Sequence, residues 1–265
     1  MNSLITTTHC KNCGQQIETY NFCPDCGAKK ITKRITFKNL VSDFIDRFFN
    51  LDNSFIRTFL HLFTQPEVVI DGYIHGLRKR YINAFGYFAI SITITGLYAF
   101  IVKDRLLELV ASGMETIPDA QLETQLMLIE KTYQHQSVLS FLLIPVLAII
   151  SRLVFLNYKK FNLTEHFVIY LYAYSHIVGI VSLISIPSVF LIDNYFIVSF
   201  APFPIYVSYI AYVLKRLYGI TLKKILIKTL LFCVIGGIFY ITIIFVSVIL
   251  ALLFGILEIP NVPVK

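Results

Sequence analysis

The sequence predicts an all-α polytopic membrane protein of about five transmembrane helices, preceded by a small N-terminal ribbon built on four cysteines. Three observations carry this. Only 15% of the 265 residues are charged while 56% are hydrophobic, and the mean hydropathy is +0.70. A soluble domain carries about 25% charge, so this chain has too little polar surface to cover a globule in water. The apolar residues come in long blocks, as a bilayer requires. Finally, four of the five cysteines fall within 17 positions as two Cys-x-x-Cys pairs.

Taken in order, the ribbon occupies residues 1–30. Cys10 and Cys13 form the first pair and Cys23 and Cys26 the second, each followed by a glycine, Gly14 and Gly27. A Cys-x-x-Cys pair bends the chain into a knuckle whose two thiolates face one metal. Glycine after the second cysteine allows the left-handed backbone that brings amides toward the sulfurs. Two knuckles give a tetrahedral four-thiolate site, the preferred structural environment of Zn2+. A disulfide pair and an iron–sulfur cluster are the competing readings. A reducing compartment disfavours the first, and the spacing is not that of the common ferredoxins. Four sulfur ligands leave no open position, so the expected zinc is structural, holding a mini-domain too small to fold on its own core. Cys233 lies in an apolar block and reads as core filling.

Residues 31–83 read as cytoplasmic amphipathic or interfacial helices. Lys29, Lys30, Lys33 and Arg34 form a basic linker. Phe37, Leu40, Val41, Phe44, Ile45, Phe48 and Phe49 then recur at helical spacing. Asn53 or Ser54 can cap a second helix carrying Phe55, Ile56, Phe59, Leu60 and Phe63, and Pro66 can open a third. Neither of the first two is long enough to span, so they are expected on the membrane surface or docked against the bundle. Arg78, Lys79 and Arg80 stand directly before the first span as a cytoplasmic anchor.

Residues 84–265 read as the bundle, with spans at about 84–102, 138–156, 167–192, 195–214 and 229–257 and an outer helical loop at 103–137. Basic and non-basic flanks alternate. Lys159 and Lys160 follow the second span, Asp193 alone follows the third, and Lys215, Arg216, Lys223, Lys224 and Lys228 follow the fourth. This places the N-terminus in the cytoplasm and the C-terminus outside. No signal peptide precedes the first apolar block. The net charge of +7 is spent on these flanks and on anionic headgroups. With no nucleic-acid-reading motif present, the lipid bilayer is the first partner and nucleic acid is set aside.

Polar residues inside spans are functional suspects. Arg152 lies late in the second span, where snorkelling to headgroups is the plainer reading. His176 lies in the third among Tyr170, Tyr172, Tyr174 and Ser175; it is either an interhelical hydrogen bond or a ligand or proton site. Glu165 suits a helix N-terminus. Pro187, Pro202 and Pro204 can kink helices, and Gly236 and Gly237 permit close helix approach. No nucleophile elbow, phosphate loop or carboxylate pair is present, so no catalytic residue is assigned and an enzyme is not expected.

A family resemblance rests on three stretches. The first is the Cys-Lys-Asn-Cys-Gly of 10–14 with the Tyr-Asn-Phe-Cys-Pro-Asp-Cys-Gly of 20–27. The second is the Thr-x-x-x-Leu-x-x-x-Pro of Thr58, Leu62 and Pro66. The third is the Gly-Leu-Arg-Lys-Arg-Tyr-Ile-Asn of 76–83. On these the chain resembles an uncharacterised group of bacterial membrane proteins, the domain of unknown function 3667. A proline often follows that last asparagine in the family; here it is Ala84. The resemblance implies a bacterial inner-membrane location and brings no activity. The expected function is a non-enzymatic membrane adaptor or scaffold. Its partner surface on the cytoplasmic side would combine the ribbon with Arg78, Arg80 and Tyr81. The alternative is a transporter, channel or lipid-handling protein with a site in the bundle near His176 and Arg152.

Overall fold

The computed structural model describes residues 9–10, 12–17, 21–28, 54–77, 80–113 and 119–253. The basic linker, the stripe at 37–49, Arg78, Lys79 and Pro118 lie outside the described residues. The chain divides into two compact units, Met1–Asn53 and Ser54–Lys265.

In the first unit the described residues hold two knuckles that repeat one hydrogen-bond pattern thirteen positions apart. Cys10 N–H donates to the Gln15 carbonyl at 2.7 Å and Gly14 N–H to that of Cys10 at 2.8 Å. Cys23 N–H donates to Ala28 at 2.8 Å and Gly27 N–H to Cys23 at 2.9 Å. Both turns need a positive φ at their glycine, +81° at Gly14 and +71° at Gly27, which a Cβ would strain. Among the described residues there is no strand, only an isolated antiparallel bridge between His9 and Gln16.

The second unit is all helix: α1 (Ser54–Thr64), α2 (Pro66–Ile74), α3 (Ala84–Gly113), α4 (Asp119–Gln134), α5 (Gln136–Val154), α6 (Leu163–Leu191), α7 (Tyr195–Phe200), α8 (Pro202–Tyr218) and α9 (Leu222–Leu253). Five segments are long and apolar enough to cross a membrane: α3, α5, α6, α7 with α8, and α9. α6 is the central helix, with 67% of its most apolar window buried, against 6% for α9 at the edge.

Local signals set the boundaries. Asn83 accepts from the Gly86 amide at 2.7 Å and so caps α3. Asn162 and Glu165 form a reciprocal capping box at the start of α6. Gly219, at φ +62°, closes α8 in the left-handed conformation. Pro66 and Pro202 occupy the first turns of α2 and α8, where a missing N–H is tolerated.

The first span differs from its expected end at 102, because α3 continues as one helix to Gly113. Lys103 and Arg105 therefore ride on a helix rather than in a loop. Their charges are paired there: Lys103 donates to Glu130 of α4 at 2.6 Å, and Arg105 to Asp193 in the turn between α6 and α7. Below these pairs Val102, Leu106, Leu109, Val189 and Val198 make a separate small core. That core gives the extension something to pack on, so the helix does not stop where its apolar run ends.

α1 and α2 are docked into the bundle. Thr58 is fully buried; its hydroxyl donates to the Ser54 carbonyl at 2.6 Å and accepts from the Ile82 amide at 3.1 Å. The C-terminus of α1 shows why the docking is specific. The Leu62 carbonyl would normally receive the amide of residue 66, but Pro66 has none. The Tyr209 hydroxyl of α8 donates to it instead, at 3.0 Å. Tyr212 donates to the carbonyls of Phe63 and Thr64 at 2.9 and 3.2 Å, and Gln65 N–H serves His61 at 2.7 Å. All four orphan carbonyls of the helix end are thereby satisfied. Outside, Arg216 forms a two-pronged ion pair with Glu67.

Two predictions follow from this docking. Tyr209→Phe orphans a buried carbonyl and should cost about 1–3 kcal/mol, read as a lower unfolding temperature in detergent. Tyr212→Phe should cost less, since its two acceptors are exposed and water can replace it. The second concerns acid. Arg216 holds the Glu67 carboxyl below its ordinary 4.5, so this pair stabilises the fold above that pH and the contribution is lost as pH falls through the folded pKa. Arg216 is 42% and Glu67 29% exposed, so water screens the pair and limits the effect to at most about 1 kcal/mol. A Glu67→Gln variant should lack that acid-dependent part of the melting shift.

Candidate functional site

The four cysteines converge. Their sulfurs all lie within 4.8 Å of one another, with Cys10 and Cys26 at 3.6 Å and Cys13 and Cys23 at 3.5 Å. A tetrahedron with metal–sulfur bonds of about 2.3 Å has an edge of roughly 3.8 Å, so the set fits one thiophilic ion. Cys10 and Cys23 are buried beside Ile17, while Cys13 and Cys26 are exposed. The Asn12 side chain and the Ala28 amide lower the Cys26 thiol to about 6. Cys13 goes the other way: although the Gln15 amide lowers it, the neighbouring thiols raise it to about 12. Four sulfurs this close cannot all ionise unless a cation lies between them. All four ligand positions of such a cation are taken by protein, which leaves none for a substrate.

His176 sits inside the bundle at 1% exposure. Its Nδ1 is 2.6 Å from the Tyr87 hydroxyl of α3. The rings of Phe59, Phe63, Tyr87 and Tyr209 surround it, with centroids 4.4 to 6.1 Å away. With the tyrosine donating to Nδ1, the Nε2 side is left among these rings, where it has no hydrogen-bond partner. Two of the four rings belong to α1. The residue singled out in the third span is thus enclosed by a helix that lies outside the spans, a juxtaposition that spacing alone does not reveal.

A second buried histidine, His166, carries no sequence signal beyond its place after Glu165. Its Nδ1 meets the Ser151 hydroxyl at 3.0 Å and its Nε2 the Tyr218 hydroxyl at 2.9 Å. A neutral imidazole satisfies both by donating once and accepting once. Arg152 lies beside this pair, not beside His176, and its guanidinium reaches the Phe155 carbonyl at 3.5 Å. Tyr81 is 2% exposed and bonds His61 at 2.9 Å. Arg80 is exposed and stacks over the Tyr81 ring at 5.6 Å. Tyr81 therefore anchors the approach to α3, and of these two only Arg80 faces outward.

Close helix approach occurs at Gly179, where a Cβ would meet the Ser91 hydroxyl at 3.3 Å. Ser91 also donates to the Ser175 carbonyl at 2.8 Å. Gly236 and Gly237, expected to serve this purpose, have nothing within 4 Å of a built Cβ. The reason is a cavity of about 890 Å³ lined by residues of every helix from α3 to α9, which both glycines line and neither His176 nor Arg152 does.

Comparison with known proteins adds one finding. Residues 52–96 match the family model described as protein of unknown function (DUF3667). The matched stretch runs through α1, α2 and the first turns of α3, the segment whose rings and hydroxyls enclose His176. No curated protein and no solved structure matches the chain.

One metal ion per chain is the expected content of the purified full-length protein by elemental mass spectrometry. Cys23→Ser should abolish it while leaving the helical circular dichroism of the bundle unchanged.

Proposed function

We propose that this chain is a non-enzymatic membrane adaptor of the bacterial inner membrane. Its helical bundle anchors it there, and its ribbon, held by a structural zinc ion, presents a surface to a protein partner on the cytoplasmic side. The observation that carries this reading is the closed four-sulfur site. A metal with every position filled by cysteine does not bind substrate; it shapes a surface. The exposed Phe22 between the knuckles supplies an aromatic contact of the kind interfaces favour. The polar side chains of the bundle support the same conclusion. His166 has a partner on each ring nitrogen and His176 is packed among rings, so neither is poised as an acid or a base. The alternating basic flanks support the cytoplasmic side for the N-terminus.

The test is affinity purification from gently solubilised native membranes, comparing the wild type with Cys23→Ser. The adaptor reading expects at least one protein partner to be lost with the metal while the variant still inserts in the membrane. An identical set of bound proteins in both preparations would sink it.

A further inference from the structure

The cavity is longest between α6 and α9, with α5 and α8 beside them and Tyr98, Tyr133 and Tyr195 of α3, α4 and α7 also lining it. Its floor is one face of α6, where Tyr170, Tyr174, Val178, Ser182 and Ser185 follow one another at steps of four, four, four and three. Its roof is one face of α9, where Lys228, Phe232, Gly236 and Tyr240 recur every fourth residue. At about 1.5 Å per residue, the roof from Lys228 to Tyr240 runs for about 18 Å. That is a little over half of a hydrocarbon core about 30 Å thick. Near the Lys228 end the two faces touch, Tyr170 stacking on Phe232 at 6.3 Å between centroids. Beyond that contact they part. Side chains are missing from the roof there, at Gly236 and Gly237, and a Cβ at either would project into open space.

Charge is confined to one end. Among the described residues, Lys228 is the one charged residue lining the cavity. Its ammonium donates to the Val154 carbonyl at 2.5 Å and to the Asn157 side chain at 2.8 Å. Two of its three N–H groups are therefore used, and among the described residues no carboxylate pairs with it. Lys223 and Lys224, both exposed in the first turn of α9, add charge of the same sign on that side. A channel for ions or a pocket for a small polar metabolite would not be walled in this way. The lining is mostly aliphatic and aromatic, it has tyrosine and serine hydroxyls along the floor, and its charge stands at the mouth.

We propose that this cavity holds one anionic phospholipid, drawn from the leaflet on the side of the 219–221 connection. The phosphate would lie at Lys228 and an acyl chain would run between the α6 and α9 faces past Gly236. The length of the groove, the glycine gap and the lysine at one end, held by neutral oxygens and by the Phe155 and Tyr158 rings at 5.5 and 5.6 Å with no carboxylate partner among the described residues, each match one part of that molecule. The volume falls within the ~300–1,000 Å³ of ligand sites. The proposal does not depend on the ribbon or on its partner.

Native mass spectrometry of the delipidated full-length protein, titrated with phosphatidylglycerol or with phosphatidylcholine of the same chains, tests it. The wild type should take up one phosphatidylglycerol with a preference of about fivefold, the factor one lysine contributes toward anionic lipid. Lys228→Gln should bind both lipids alike. Gly236→Leu, whose Cβ meets no neighbouring atom and whose side chain would occupy the groove, should weaken binding by at least about tenfold. Gly96→Leu provides the control, since Gly96 also faces open space but lies away from the cavity; it should bind as the wild type does. Undiminished binding by Gly236→Leu would overturn the site. Equal binding of the two lipids by the wild type would overturn the headgroup assignment. An equal loss in Gly96→Leu would mark the bound lipid as annular and overturn the proposal as well.

Discussion

The carbonyl of Leu62 cannot be left alone. It lies at the end of a short helix packed among apolar side chains, and the residue that should donate to it is Pro66. Where water is scarce, an unpaired backbone oxygen costs more than almost any single apolar contact gains. Tyr209 donates to it from a helix 147 positions further along the chain, and much else depends on that bond. It fixes α1 against α8. With α1 in place, Phe59 and Phe63 close over His176, Thr58 holds the Ile82 amide, and Ile82 offers its carbonyl to Tyr172 at 2.5 Å. The start of the first span is thereby defined from both sides. The family model spans this stretch from residue 52 to residue 96, so the matched segment is one structural device and not merely a run of similar residues.

The two compact units solve opposite problems. The bundle has apolar surface in excess and must satisfy its few buried polar groups, most of which it pairs through tyrosine, serine and histidine hydrogen bonds. The ribbon has almost no core, only Ile17 beside two cysteines. It has to be held by something other than hydrophobic burial, and a four-thiolate site is suited to that. This contrast separates the sulfurs, gathered at one point, from the buried imidazoles, which are enclosed by rings or hydrogen-bonded within the helices.

Much of the fold was legible beforehand. Pro66 and Glu165 announce helix starts by chemistry confined to one turn, and the apolar blocks announce spans by length. Where the reading went astray, a distant partner had intervened. Lys103 and Arg105 look like the end of a span. They are carried on a longer helix because Glu130 and Asp193 neutralise them and a second small core lies beneath. The pair Gly236 and Gly237 suggests tight helix contact, yet the contact is made at Gly179, where Ser91 approaches. His166 gave little warning, because its two partners, Ser151 and Tyr218, sit on different helices.

By itself the sequence determined the helical class, five apolar segments, the helix starts at Pro66 and Glu165 and the grouping of four cysteines. Each of these follows from a short-range pattern: a period, a run length or a spacing within one turn. Tertiary structure alone decided that Tyr209 completes the end of α1, that His176 is boxed by rings from outside its own span, and that α9 stands away from α6 to leave a cavity. Those outcomes depend on which faces of separate helices meet. No local period encodes that, because a helix face is equally apolar whether it meets a neighbour, a cavity or lipid.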